Sequence, residues 1–431
     1  MAGREDLPLG SPPPPHESRD LHAFVLGVGR ALSQSGAAVS ETEERLTRIA
    51  SAAGAGDARI VVLPTAIMIA FGQARWTAIE AIRQTDGALR LDQISALYDL
   101  VADAEHGTVT PGEGLGRLAE IQSMEPRYPK AVAILGYAVM TAGLCLLLQP
   151  TWIDVAIATG LGAAVGALIE LTRGQPRLIV LVPVVAATAV SAVSFELVKR
   201  GIADPGLRTL IAPLVTFLPG AVLTTATQEL TAGEMVAGSS RLVYGMLQLL
   251  LLAFGIVAGV ELSGLPSHEA LADDRSDLLG WWAPWLGVLV FGVAVSVHLS
   301  APRGSLVYLI IVLFSAWIGQ LLGKELVGAG VSAFFGALAM TPVALALARL
   351  PHGPPSQVTF LPAFWMLVPG ALGLIGVTEV LSDPAHAGLD DLITPLTSIL
   401  SIALGVMVGL SLFHGAVSAP RAIPERFRPR R

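Results

Sequence analysis

The chain has 431 residues, 53% of them hydrophobic and only 14% charged, with a mean hydropathy of +0.65 and a formal net charge of −7. Soluble proteins carry about 25% charged residues, so long stretches here face something other than water, and a soluble single-domain enzyme is excluded. The acidic surplus lies wholly before residue 127: residues 1–126 hold 10 Lys/Arg against 17 Asp/Glu, while 127–431 hold 17 of each. That placement argues against nucleic acid as a partner.

Residues 1–20 carry Pro12 to Pro15 among charged and polar residues and have no apolar core of the signal-peptide kind. They read as a disordered leader, so the next hundred residues stay in the compartment of synthesis. Residues 21–126 mix helix and strand signals and predict a small cytoplasmic α/β domain. Leu21 to Ser35 is apolar at helical spacing and stops at Gly36. Ser40 and Glu43 have capping-box spacing for a helix over Glu41–Ala53, in which Glu41 and Glu44 precede Arg45 and Arg48 by four residues. These pairs account for most of the charge, so a solvated helix face is expected rather than a catalytic cluster. Ile60 to Phe71 is β-branched and apolar and contains Pro64, which suits a buried strand better than a helix. Asp92 can cap a helix running to His106 that stops at Gly107, and Thr110, Pro111 and Glu113 begin another that ends near Ser123. Gly112, Gly114 and Gly116 follow a cap rather than a strand, so they fail as a nucleotide loop.

From Ala131 the chain becomes a series of apolar stretches long enough to cross a bilayer. Their spacing predicts ten spans: 131–149, 153–171, 178–198, 209–226, 242–263, 281–300, 305–322, 326–348, 358–377 and 393–413. A shift of 150 residues lays the last five over the first five, carrying Pro219–Gly220 onto Pro369–Gly370, Glu229 onto Glu379 and Glu170 onto Gln320. Five is odd, so the second copy enters the membrane in the opposite direction. The predicted fold class is an α-helical polytopic membrane protein of two inverted five-helix repeats, residues 127–263 and 281–414, joined by an extracytoplasmic connection over 264–280 and followed by a basic cytoplasmic tail over 415–431. Lys and Arg favour both termini in the cytoplasm, with 12 on the flanks and tail that would face inward against 5 on the outer loops; Lys199, Arg200 and Arg208 are the dissenting cluster.

Inverted repeats with matching broken helices are the pattern of secondary transporters. Pro219, Gly220, Pro369 and Gly370 are therefore candidate substrate-site residues, because a proline break frees backbone groups and leaves a helix start with a positive dipole end. Thr224, Thr225, Thr227 and Thr378 add hydroxyls beside the breaks. Glu229, Glu379, Glu234 and Glu170 are candidate proton-coupling carboxylates, since a carboxylate in a span is expensive and takes up protons readily when buried. His298 and His414 lack metal-ligand spacing, Gly319 to Glu325 lacks the features of a phosphate loop, and lone Cys145 rules out a disulfide framework. No metal, cofactor or catalytic residue is expected; the expected partners are a small-molecule substrate, protons and the lipid bilayer, with a homo-oligomer left open. Gly162 and Gly166 predict close helix packing.

Ser35 to Leu46 (Ser-Gly-Ala-Ala-Val-Ser-Glu-Thr-Glu-Glu-Arg-Leu) resembles the N-terminal signature of the threonine/serine exporter (ThrE-like) family. Arg90–Leu91 before a helix, Gly107 to Leu118, Arg127-Tyr128-Pro129 ahead of the first span and the duplicated Pro-Gly spans fit the same family, so the resemblance covers residues 20–415 in order and spacing. It implies a multi-pass exporter of small hydroxy amino acids in the bacterial inner membrane, driven by the proton gradient. Related two-chain members are linked to dicarboxylate export, which keeps succinate-like substrates as an alternative. A membrane-anchored hydrolase is the other, but residues 21–126 have no Ser elbow and no Cys, and His22 and His106 are their only histidines.

Overall fold

A computed structural model describes residues 16–71, 77–82, 87–148, 151–175, 178, 181–203, 208–264, 279–328, 331–367, 378 and 389–418. Most of the expected leader, outer connection and basic tail lies outside these residues. The chain divides into two compact units, residues 1–89 with 93–125, and 90–92 with 126–431.

In the first unit, helices α1 (His16–Gln34) and α2 (Val39–Ala52) precede strands β1 (Arg59–Leu63), β2 (Ala66–Ala70) and β3 (Thr77–Ala81), and helices α3 (Leu91–Glu105) and α4 (Pro111–Ser123) follow. The strands form an antiparallel sheet in the order β1-β2-β3. The apolar run from Ile60 is thus a hairpin rather than one strand, because Pro64 cannot donate to a ladder and Pro64–Thr65 forms the turn. Period-two alternation buries Ile60, Val62, Ile67 and Ile69 and leaves Val61 exposed. Phe24, Val28 and Leu32 recur every fourth residue on α1 and are fully buried, each worth about 1.5–3 kcal/mol of transfer free energy.

Helix α2 starts two residues earlier than its sequence suggests. Ala38 is the N-cap and makes no side-chain cap bond, and Ser40 lies inside the helix. Burial of Val39 at 2% exposure draws that residue into the first turn. The expected capping box at Ser40 and Glu43 is thus not the helix start, and a capping box forms on α4 instead, with Thr110 and Glu113 bonded reciprocally; the Thr110 backbone N–H holds the Glu113 carboxyl below the usual carboxylate range. Arg45 pairs with Glu41 at 3.0 Å, Arg48 pairs with Glu44, and both arginines reach Glu105 from α3, at 3.4 and 3.1 Å. Arg45 also lies over the Tyr98 ring at 4.8 Å, and burial pushes the Tyr98 hydroxyl's pKa up. The charge run therefore ties α2 to α3 as well as facing solvent.

The second unit is helical throughout its described length. It comprises α5 (Lys130–Leu147), α6 (Trp152–Thr172), α7 (Leu181–Lys199), α8 (Arg208–Leu214) with a 3-10 turn at Val215–Phe217, α9 (Gly220–Thr231), α10 (Met235–Ser263), α11 (Trp282–His298), α12 (Ser305–Leu326), α13 (Ser332–Ala348), α14 (Ser356–Leu367) and α15 (Leu389–Ser418). Among the described residues six helices are long and apolar enough to cross a membrane, seven if the bent pair α8–α9 counts as one span. Helices α11 and α13 are apolar but shorter. Leucines, valines and tryptophans on the outer faces stay exposed, for example Leu135, Val243, Phe254 and Leu404, as expected of helices bathed in lipid rather than water.

Small residues bring the helices together. Gly162 and Gly166 on α6 lie against Thr141 and Tyr137 of α5, as their spacing predicted. A Cβ at Gly255 on α10 would stand 2.8 Å from the Ala187 Cβ of α7, and one at Gly259 would stand 2.5 Å from the Ser191 Cβ. On α15, a Cβ at Gly405 would stand 2.8 Å from the Ala337 Cβ of α13, and one at Gly409 would stand 2.7 Å from the Thr341 Cβ. Every residue of the second set lies 150 positions after its counterpart in the first, and both pairs run parallel. Helices α5 and α11 pack antiparallel instead: Gly136 meets His298 and Ala294, while Gly143 meets Phe291 and Gly287.

Candidate functional site: a broken span and its paired charges

The fourth apolar stretch breaks where its prolines predict. Pro213 sits inside α8, the chain tightens into the 3-10 turn, and α9 leaves at 52° to the preceding segment. Breaking a helix strands its last carbonyls, and here Tyr137 of α5 meets one: its hydroxyl donates to the Pro213 carbonyl at 2.8 Å and lies 2.8 Å from the Thr216 hydroxyl. Tyr137 is wholly buried, and its ring packs edge-on against His298 at 4.9 Å. His298 Nδ1 lies 3.1 Å from the Ala133 carbonyl, in keeping with a packing role.

Pro219 is the N-cap of α9 and makes no side-chain cap bond. The first turn after it therefore presents backbone N–H groups that no intrahelical carbonyl can take. Pro219, Gly220, Thr224 and Thr227 are buried on this helix, and Thr225 is half-buried. The Thr224 hydroxyl donates to the Gly220 carbonyl at 2.8 Å and the Thr227 hydroxyl to the Leu223 carbonyl at 3.0 Å. Both hydroxyls thus spend their proton within the helix and keep lone pairs to accept from a ligand. Pro369, Gly370 and Glu379, the matching residues of the second half, lie outside the described residues. Thr378 is described: it is fully buried, and its hydroxyl meets no hydrogen-bond partner among the described residues.

Glu229 closes α9 at 1% exposure and pairs with Arg241 of α10 at 3.1 Å. The short turn between α9 and α10 brings them together, and the Glu234 N–H donates to the Glu229 carbonyl across it at 2.8 Å. Glu234 is the N-cap residue of α10. Glu170 is a separate case at the end of α6, buried and paired with Arg173 at 3.0 Å. The fold therefore joins Pro219, Gly220, the threonines, Glu229 and Glu234 on one helix–turn–helix and leaves Glu170 on another helix. Sequence reasoning took Arg241 for a flanking cytoplasmic charge and missed it as the partner of Glu229. The available signal was a lone arginine within a 29-residue apolar helix.

A polytopic helical bundle with a proline-broken span and buried glutamates paired with arginines is the architecture of a membrane transporter. Residues 23–263 match the family model described as "Putative threonine/serine exporter". The chain belongs to this ThrE family. It is also similar to pheromone-regulated membrane protein 10 of Saccharomyces cerevisiae (strain YJM789), 28% identical over 284 residues, which cover 64% of this chain and 36% of that protein. The protein of the same name from Debaryomyces hansenii is 28% identical over 260 residues, covering 58% of this chain and 25% of its own length. The chain thus spans about a third or less of these relatives. No solved structure matches it.

Proposed function

We propose that this protein is a secondary transporter that exports small hydroxy amino acids such as threonine and serine across a bacterial inner membrane, driven by the proton gradient. Family membership carries the transport part of this reading. The hydroxy-amino-acid substrate follows the family's description, and the broken span supplies suitable chemistry: free N–H groups at a positive helix end for a carboxylate, with threonine oxygens beside them.

Ten spans in two inverted repeats are part of the proposal. The matched glycine contacts of α7 with α10 and of α13 with α15 support the duplication, since chance does not reproduce a packing register at a constant offset of 150 residues. Antiparallel α5 and α11, the first spans of the two halves, support the inversion. Trp152 and Trp282 start α6 and α11 with rings 5.9 Å apart, and interfacial tryptophans mark a membrane boundary; that boundary is the outer one if both termini are cytoplasmic. With Cys145 replaced, a cysteine at Ser267 is expected to react with an impermeant reagent from outside and one at Ser356 to be protected. The opposite pattern overturns both topology and inversion.

In the mechanism we propose, Pro219, Gly220, Thr224, Thr225 and Thr227 and their counterparts Pro369, Gly370 and Thr378 surround the substrate. The four carboxylates divide by partner. Glu170 and Glu229 each face an arginine. The position matching Arg241 in the second half is Asp391, so Glu379 lacks that cation in its half and is assigned the coupling proton. Glu234 stands at the α9–α10 turn beside Glu229 and is that residue's acidic reserve. Purified protein in liposomes is expected to move threonine or serine when a pH gradient is imposed. Gradient-driven movement of succinate, with none of either amino acid, would replace the substrate; hydrolysis without transport would replace the class.

A further inference from the structure

We propose that the Glu229–Arg241 pair is the seat of the substrate's two charges, with Arg241 taking the carboxylate and Glu229 the ammonium of a small zwitterionic amino acid. This rests on the exporter reading and gives the substrate a second station, about 14 Å along α9 from the helix start at Gly220 that the proposed function offers its carboxylate. Glu229 is 1% exposed and the Arg241 side chain 18%, and their N and O atoms stand 3.1 Å apart. A buried ion pair adds little stability after the cost of stripping water from both charges, so its retention in a membrane helix points to function. One base beside one acid is the complement of a zwitterion. A ligand entering between them exchanges one ion pair for two and leaves no charge uncompensated.

A second observation concerns the residue before Glu229. The Gln228 side-chain nitrogen is buried and meets no hydrogen-bond partner among the described residues. Leaving a buried donor unpaired is costly, and a ligand hydroxyl would relieve that cost. The residue 150 positions later is Thr378, whose buried hydroxyl is likewise without a partner among the described residues. Each half thus carries an unpartnered buried polar group just before its glutamate. The halves differ in the basic partner: Arg241 in the first corresponds to Asp391 in the second. The zwitterion's carboxylate is therefore assigned to the first repeat. A dicarboxylate at the same place would set its second carboxylate against Glu229, and this repulsion selects against succinate.

The test is competition for threonine exchange by reconstituted protein, which needs no variant. Serine is expected to compete; 3-hydroxybutyrate, which lacks the ammonium, and 1-amino-2-propanol, which lacks the carboxylate, are each expected to be weaker by about tenfold or more, the scale of one charged hydrogen bond. In Glu229→Gln the gap between threonine and 3-hydroxybutyrate is expected to shrink. Gln228→Leu, which removes an unpartnered buried amide, is expected to hold or raise the melting temperature while weakening threonine half-saturation; a purely structural role would leave half-saturation unmoved. Wild-type exchange with both analogues competing as well as serine, or with Gln228→Leu half-saturation unchanged, overturns this site and leaves the exporter reading standing. Wild-type vesicles that exchange no neutral amino acid overturn the exporter reading and this site with it.

Discussion

Gly259→Ala and Gly409→Ala are expected to lower the unfolding temperature of the purified protein by similar amounts, with Leu at either position preventing accumulation in the membrane. A Cβ at Gly259 would stand 2.5 Å from the Ser191 Cβ, and one at Gly409 2.7 Å from the Thr341 Cβ. Both distances are well inside van der Waals contact, so the helices must part. Overpacking of this kind costs about 1–3 kcal/mol per site, against a typical total stability of about 5–15 kcal/mol. Separating α7 from α10 also strains the 2.7 Å bond from the Ser191 hydroxyl to the Ile256 carbonyl. Ser191→Gly combined with Gly259→Ala is expected to recover part of the loss by making room. Gly160→Ala is the control, since a Cβ there meets nothing within 4 Å, and it is expected to be neutral. Thermal unfolding in detergent reads all four variants. A loss confined to one of the two interfaces would break the correspondence between the halves.

Glu379→Gln is expected to abolish export driven by an imposed pH gradient while leaving threonine-for-threonine exchange across the vesicle membrane largely intact. Glutamine keeps the shape and hydrogen-bonding capacity of the protonated acid and cannot release the proton. Coupling then stops, while a carrier that is permanently in its protonated form still shuttles substrate. Glu229→Gln should act differently, because it removes the carboxylate that the Arg241 guanidinium faces at 3.1 Å, and losing one partner of a desolvated charge pair is destabilising. It should weaken exchange and gradient-driven export together. Equal gradient-driven export by wild type and Glu379→Gln, at equal membrane levels, removes Glu379 from the mechanism.

The amino-acid sequence by itself determined the class of protein and much of its layout. Apolar runs of membrane length, low charge and proline punctuation are local properties, and they placed α5, α6, α7, α12 and the break before α9 within a few residues of where they occur, while α10 ends where expected but begins at Met235 rather than at 242. The helix start at Thr110 to Glu113, the i,i+4 pairs of α2 and the small-residue face of α6 were legible for the same reason. The sequence also carried the 150-residue correspondence, though only as scattered identities. Tertiary structure decided which of those identities meet. Gly255 and Gly259 are adjacent to Ala187 and Ser191 only because α7 and α10 run side by side, and their counterparts repeat the contact. It also turned Arg241 from a flanking charge into the partner of a buried glutamate, and brought the Tyr137 hydroxyl to a stranded carbonyl. Such pairings join residues 12 and 76 positions apart. No propensity or spacing rule encodes them, because each exists only where the packing of separate helices brings a donor to an acceptor that water cannot reach.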